Sequence, residues 1–208
     1  MKVDLREIKK TLPPVFEADE VLALLSDLSD PHNFLMRATN KKELIRLRRG
    51  LYADPENIDY LLIANRLLSP SYVSFETALA YYGMIPERVL TTMSVTTQKA
   101  RQYATPVGLF EFFSQKIELF AAAYTMLEKA DYYIRIATPE KALFDTISRM
   151  NIVARSLKRD EPLQLLTEDL RIEEANLRNL SKKEMKRLAP IYNSGTVKRV
   201  AQSILELK

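Results

Sequence analysis

The chain has 208 residues, 47% of them hydrophobic, enough for one large or two small domains with packed cores. Its longest apolar runs, such as "LFAAAY" from Leu119, fall far short of the roughly 20 residues a membrane span needs, and "MKVDLREIKK" lacks the apolar centre of a signal peptide, so a cytoplasmic protein with no membrane partner is expected. The absence of cysteine excludes disulfides, thiolate metal sites and cysteine nucleophiles, and the formal net charge is a modest +4.

That small sum hides two concentrations of charge. Residues 37–49 carry six basic side chains and one acidic, and residues 178–199 carry seven and one, so the remainder of the chain is net acidic. Clustered cations are the footprint expected for a polyanion partner, with a solvated surface as the plain alternative.

In chain order, "FEADEVLALLSDL" sets Val21, Leu22, Leu24, Leu25 and Leu28 near helical spacing, behind acidic residues that suit a helix start. "DPHNFLMRATNKK" follows with Asp30 as N-cap and Pro31 at the first helical position. At about 100° per residue, Phe34, Leu35 and Ala38 share one side of this second helix, while Met36, Arg37 and Asn40 lie roughly opposite. The period then changes. In "KKELIRLRRGLYADP", alternation puts Ile45 and Leu47 on one side and Leu44, Arg46 and Arg48 on the other. Arg49-Gly50 is a turn, "LYA" a return strand, and Asp54-Pro55 a stop, which together read as a β-hairpin with a basic tip. Helix, turn, helix and hairpin is the order of a winged helix-turn-helix. In that fold Arg37, Asn40 and Lys41 would face base edges in the major groove, and Arg46, Arg48 and Arg49 would hold phosphates.

Beyond Pro55 a second unit is expected. A helix from about Asp59 to Leu68 precedes one capped by Ser74, with Glu76 in its first turn and Gly83 at its end. "VLTTMSVTTQ", "VGLFEFFSQ" and "DYYIRIAT" are rich in β-branched and aromatic residues and predict a small sheet. Thr138-Pro139-Glu140 starts the helix "EKALFDTISRM", with Ala142, Leu143 and Ile147 inward. The end of the chain, from a Ser181/Glu184 capping box, predicts two helices divided by Pro190 and Gly195, with lysines on solvated faces. The expected fold class is α+β: an N-terminal winged helix-turn-helix over residues 1–56, then a larger mixed α+β domain over 57–208 with a small sheet and a helical C-terminus.

Catalytic chemistry is not expected. His32 is the one histidine, which leaves a metal cluster or a Ser-His-Asp triad without its usual partners. Gly50, Gly83, Gly108 and Gly195 are too dispersed for a phosphate-binding loop, and no Asp-x-Asp is present for a nucleotidyltransferase magnesium site. No catalytic residue, metal or cofactor is assigned.

Four blocks in order, "RRGLYADP", "ANRLLSPSYVSFETALAYYGMIPE", "SVTTQKARQYATPVGLFEFFSQK" and "IATPEKALFDTI", resemble the AbiEi-type antitoxins, the transcriptional-repressor half of type IV toxin-antitoxin systems. The resemblance spans about Phe16 to Met150. It implies a winged helix that binds double-stranded DNA at inverted repeats in its own promoter, and a C-terminal domain that neutralises a nucleotidyltransferase toxin encoded next door. Carried onto this sequence, the DNA-reading role falls on Arg37, Asn40, Lys41, Lys42, Arg46, Arg48 and Arg49. In the second domain Ser74 and Thr138 read as helix N-caps, and Tyr81 and Tyr82 as packing residues. A ligand-sensing regulator whose second domain binds a small molecule is the alternative function, and a structural or RNA-binding module a third.

Overall fold

A computed structural model of the protein describes residues 5–25, 30–87, 89–150 and 161–207. The molecule is mixed α+β, with a three-stranded sheet near the N-terminus and a six-stranded sheet beyond it. Among the described residues no helix is long and apolar enough to cross a membrane.

The N-terminal elements run α1 (Leu5–Thr11), β1 (Val15–Glu17), α2 (Ala18–Leu24), α3 (Pro31–Asn40), β2 (Ile45–Arg48) and β3 (Leu51–Ala53). The sheet order is β1-β3-β2, antiparallel throughout. Two of these elements were not expected. Helix α1 lies in the charged opening segment, and β1 takes Phe16 and Glu17 from the start of the expected helix. The three-residue strand exists because β3 offers it a partner, with Phe16 opposite Tyr52. Helix α2 therefore begins at Ala18, closed by a reciprocal capping box between Glu17 and Glu20. The expected continuation of this helix to Leu28 runs into residues 26–29, outside the described residues.

These elements close over a small core of Ile8, Phe16, Val21, Leu25, Leu35, Ala38 and Leu44. Leu44, expected on the outer side with the arginines, is buried there. The opposite face of the sheet supplies Val15, Leu47, Leu51 and Ala53 to the main core. One sheet thus serves two cores, so a chain cut after residue 56 would expose four apolar side chains.

A second tie joins α1 to the chain leaving β3. Lys9 Nζ meets Asp54 Oδ1 at 2.6 Å, and Asp54 also accepts from Asn57 Nδ2 and the Glu56 N–H. Burial pushes the Asp54 carboxyl up, but these hydrogen bonds, that from Lys9 foremost, outweigh it and hold the group below its ordinary value of 3.8. A depressed carboxylate stabilises the fold above its unfolded value and loses that contribution as pH falls through the folded one. In thermal unfolding, the advantage of the wild type over Asp54→Asn is expected to be complete at neutral pH and to vanish on acidification below 3.8.

The main body follows as α4 (Tyr60–Leu67), β4 (Ser71–Val73), α5 (Phe75–Tyr81), β5 (Thr91–Thr96), β6 (Arg101–Thr105), β7 (Gly108–Ser114), α6 (Ile117–Phe120), β8 (Tyr124–Glu128), β9 (Tyr133–Ala137) and α7 (Pro139–Arg149). The sheet order is β6-β7-β5-β4-β9-β8, parallel at β5–β7 and β4–β9 and antiparallel elsewhere. It is larger than the three expected strands because β4, β6 and β8 join it. Asp59 caps α4 and Thr138 caps α7. The helical end comprises α8 (Glu161–Gln164), a π-helical turn over Leu165–Asp169, α9 (Glu174–Arg178), α10 (Lys182–Leu188), a 3-10 turn over Ala189–Tyr192 and α11 (Gly195–Glu206). Ser181 caps α10, but the reciprocal half of the expected box is absent, since the Ser181 N–H donates to Glu140 Oε1 instead.

Candidate nucleic-acid interface

Helix α3 is set by local chemistry at both ends. The Asp30 side chain accepts from the Asn33 N–H at 3.0 Å, and Pro31 occupies the first turn. Those bonds from Asn33, the backbone one first, hold the Asp30 carboxyl below its ordinary value. Leu35 and Ala38 are buried, Phe34 packs beside them, and Met36, Arg37 and Asn40 are exposed. Met36 is 54% exposed. Arg37 donates from Nε to the Asn33 carbonyl at 3.3 Å, which steadies it along the helix and leaves its terminal nitrogens available.

The helix stops in a Schellman turn. Lys42 N–H bonds to the Thr39 carbonyl and Glu43 N–H to that of Ala38. The residue at the left-handed position is Lys42, with φ of 61°. Gly83 closes α5 in the same way, with its N–H on Ala80 and that of Met84 on Leu79, at φ of 67°. A lysine where glycine is favoured costs roughly 1 kcal/mol. We expect Lys42→Gly to raise the unfolding free energy measured in urea by about that amount and, if Lys42 meets a phosphate, to reduce the salt dependence of DNA binding by about one phosphate. The lysine also lines a groove with Arg6, Lys9 and Lys10 of α1, residues that sequence reasoning left out because it assigned no helix there.

In the hairpin the expected alternation fails at one position. Ile45 pairs with Ala53 and Arg46 with Tyr52, but the register then shifts so that Arg48 stands opposite Leu51. The bulge turns Arg48 to the side of Leu47, toward α4. There Nη2 donates to Glu17 Oε1 at 2.8 Å and to the Arg66 carbonyl, Nε to the Leu67 carbonyl, and Nη1 to the Arg49 carbonyl. The expectation that Arg48 holds phosphate is therefore corrected: its donors fasten the hairpin to β1 and α4. Arg46 and Arg49 are exposed, and with Lys41 and Lys42 their side chains form no hydrogen bond or ion pair among the described residues. The structure thus presents Arg37, Asn40, Lys41, Lys42, Arg46 and Arg49 to solvent and withdraws Arg48.

A different constellation lies inside the main body. Lys141 and Asp145, one turn apart on α7, form an ion pair of 2.5 Å with both side chains inaccessible to solvent. Asp145 also accepts from Ser74 Oγ at 2.5 Å, Gln115 Nε2 at 2.7 Å and the Tyr192 hydroxyl at 2.7 Å. Lys141 Nζ further donates to Gln115 Oε1, and it lies over the rings of Tyr72 and Tyr192. Burial pulls the Lys141 ammonium below its ordinary value of 10.5, against the attraction of Asp145, and pushes the Tyr72 and Tyr192 hydroxyls up. Ser74, expected as the cap of α5, makes no capping bond because its hydroxyl is turned to Asp145. The one sequence signal for this network was the i,i+4 Lys–Asp spacing in "EKALFD".

The basic stretch 178–199 is partly self-neutralised. Arg178 pairs with Glu174 at 2.8 Å and Arg187 with Glu184 at 2.6 Å, while Lys182 donates to the Leu207 carbonyl. Glutamine at Lys182, Lys183 and Lys186 together is expected to leave DNA affinity within about twofold, as suits a solvated helical face. A loss beyond about tenfold in a binding titration would give this face to the nucleic acid.

No protein-family model and no curated protein matches the sequence. Among solved structures, the fold is similar to that of the Rv2827c protein from Mycobacterium tuberculosis, with a TM-score of 0.51 and 14% identity, covering 97% of this chain and 78% of that one.

Proposed function

We propose that the protein is a DNA-binding transcriptional autorepressor and the antitoxin of a type IV toxin-antitoxin pair. In this reading residues 1–56 form a winged helix-turn-helix, α3 is its recognition helix, and the β2–β3 hairpin is its wing. The observation that carries the reading is the succession α1-β1-α2-α3-β2-β3 with sheet order β1-β3-β2, combined with a polar outer face on α3 and unpartnered cations on the turn and hairpin. Arg37 can pair with guanine, Asn40 with adenine, and the exposed Met36 offers an apolar contact of the kind a thymine methyl accepts. Lys41, Lys42, Arg46 and Arg49 supply the phosphate contacts.

The antitoxin role rests on the AbiEi-like blocks, three of which build the floor of the main body. "SYVSFETALAYYG" forms β4 and α5, "VGLFEFFSQ" forms β7, and "ATPEKALFD" forms the start of α7. Ser74, Gln115, Lys141 and Asp145 come one or two from each block and meet in a single network, so the blocks specify a shared interior. The partner is a nucleotidyltransferase toxin encoded in the neighbouring gene.

Two readouts in one strain test this. A reporter driven by the upstream promoter is expected to be repressed by the full chain and released by Arg37→Ala with Asn40→Ala. Growth arrest by the neighbouring gene is expected to be relieved by the full chain and equally by that variant. Failure of repression sinks the DNA reading, and failure of relief sinks the antitoxin reading.

A further inference from the structure

We infer that the cleft between the N-terminal sheet and the six-stranded sheet is a binding site for a phosphate-bearing small molecule. The cleft has a volume of about 680 Å³ and is lined by Arg48, Arg66, Arg101 and Arg135, with Glu17 the one carboxylate among its lining residues. Two of the arginines are already matched. Arg48 pairs with Glu17 at 2.8 Å, and Arg66 approaches Glu20 at 3.5 Å. The other two are not: Arg101 donates only to the Tyr103 hydroxyl at 3.2 Å, and the Arg135 guanidinium has no acceptor among the described residues.

Arg135 carries the argument. It is half-buried, and its guanidinium nitrogens keep contact with solvent, where an anion can reach them. Its backbone is also fixed, because the Asn65 side chain of α4 accepts from its N–H at 2.6 Å and donates to its carbonyl at 3.1 Å. The base of the side chain is thus fixed, and the guanidinium is left open on the cleft side. Guanidinium groups form paired, charge-assisted hydrogen bonds with phosphate oxygens, which makes phosphate the anion class this lining fits. Tyr103, half-buried and edge-on to Phe112 at 5.7 Å, adds an aromatic wall for a ligand that carries a ring as well as a phosphate.

At about 680 Å³ the cleft lies within the range of small-molecule pockets, about 300 to 1,000 Å³. The site is also placed to matter. Arg48 and Arg66 tie the hairpin and α2 to α4 across the same cleft, so an anion drawing on those arginines competes with Glu17 and Glu20 for them.

The probe is inorganic pyrophosphate, titrated calorimetrically into the full-length protein without DNA, so the result does not depend on the proposed repressor function. Saturable one-to-one binding is expected, weakened about tenfold to a hundredfold by Arg135→Gln and likewise by Arg101→Gln, which lies on the exposed edge strand β6. Thermal melts of both variants establish that they fold. Duplex binding by the same variants separates the two sources of phosphate. Wild-type duplex affinity alongside lost pyrophosphate binding supports the inference. No saturable pyrophosphate binding by the wild type, or binding unchanged in both folded variants, overturns it. Lost duplex affinity without pyrophosphate binding would make the cleft a DNA backbone contact and overturns it as well.

Discussion

Replacing Asp145 with alanine is expected to destabilise the protein by about 3–5 kcal/mol, because it strands a buried ammonium. Lys141 is fully enclosed, and after the substitution its remaining oxygen partner is Gln115 Oε1 at 3.1 Å. The same change removes the acceptor of Ser74 at the β4–α5 junction and of Gln115 Nε2 just after β7, and leaves the Tyr192 hydroxyl of the C-terminal 3-10 turn with the Lys141 carbonyl alone. Each buried donor left unpaired adds its own desolvation cost. The reverse comparison is equally informative. Lys141→Met with Asp145→Leu removes both charges together, and a large part of the single-variant loss is expected to return. Urea denaturation of the two single variants and the double variant measures the coupling. A cost below about 1 kcal/mol for Asp145→Ala would mean that water reaches the pair, contrary to its burial. The network ties β4–α5, the end of β7 and α7 together, so the proposed antitoxin readout is expected to fail with stability.

Arg46→Gln with Arg49→Gln is expected to weaken DNA binding by about 3 kcal/mol, roughly a hundredfold, at low salt, taking the lower end of the range for hydrogen bonds to charged groups. The log–log salt slope is expected to fall by about 2, one unit for each phosphate contact removed. Sequence preference should be unchanged, since in the proposed mode these side chains meet phosphates and not base edges. Arg48→Gln behaves differently. It breaks the ion pair with Glu17 and the bonds to the Arg66 and Leu67 carbonyls, so stability drops while the salt slope holds. Two arginines and one neighbour, within four positions, are thus separated by what each touches.

That separation marks where sequence patterns reach and where they stop. Asp30 with Pro31 and Thr138 with Pro139 were legible because a cap is a contact across three residues. Leu35 and Ala38 were legible for the same reason, one helical turn apart on the inward side of α3. Arg48 was not: its orientation depends on a register shift against Leu51, and a strict two-residue period has no place for the extra residue. Strand β1 was hidden because Val15–Glu17 is extended only by virtue of β3, more than thirty residues away in the chain. Ser74 shows the limit most clearly. A serine before a helix reads as a cap, yet its hydroxyl lies on Asp145, 71 residues distant, a partner no local pattern names. In the candidate interface, charge and helical phase identified the outward residues of α3, while the contribution of α1 to the groove around Lys42 required the three-dimensional arrangement.

The central claim is that the outer face of α3 and the hairpin bind DNA selectively. Fluorescence anisotropy of the full-length protein on a labelled duplex from its own upstream region, against a scrambled duplex at a series of salt concentrations, tests it most directly. Tighter binding to the upstream duplex is predicted, with a log–log salt slope of roughly −3 to −4 per monomer for three or four neutralised phosphates. Equal affinity for the two duplexes, or no binding even at low salt, would contradict it.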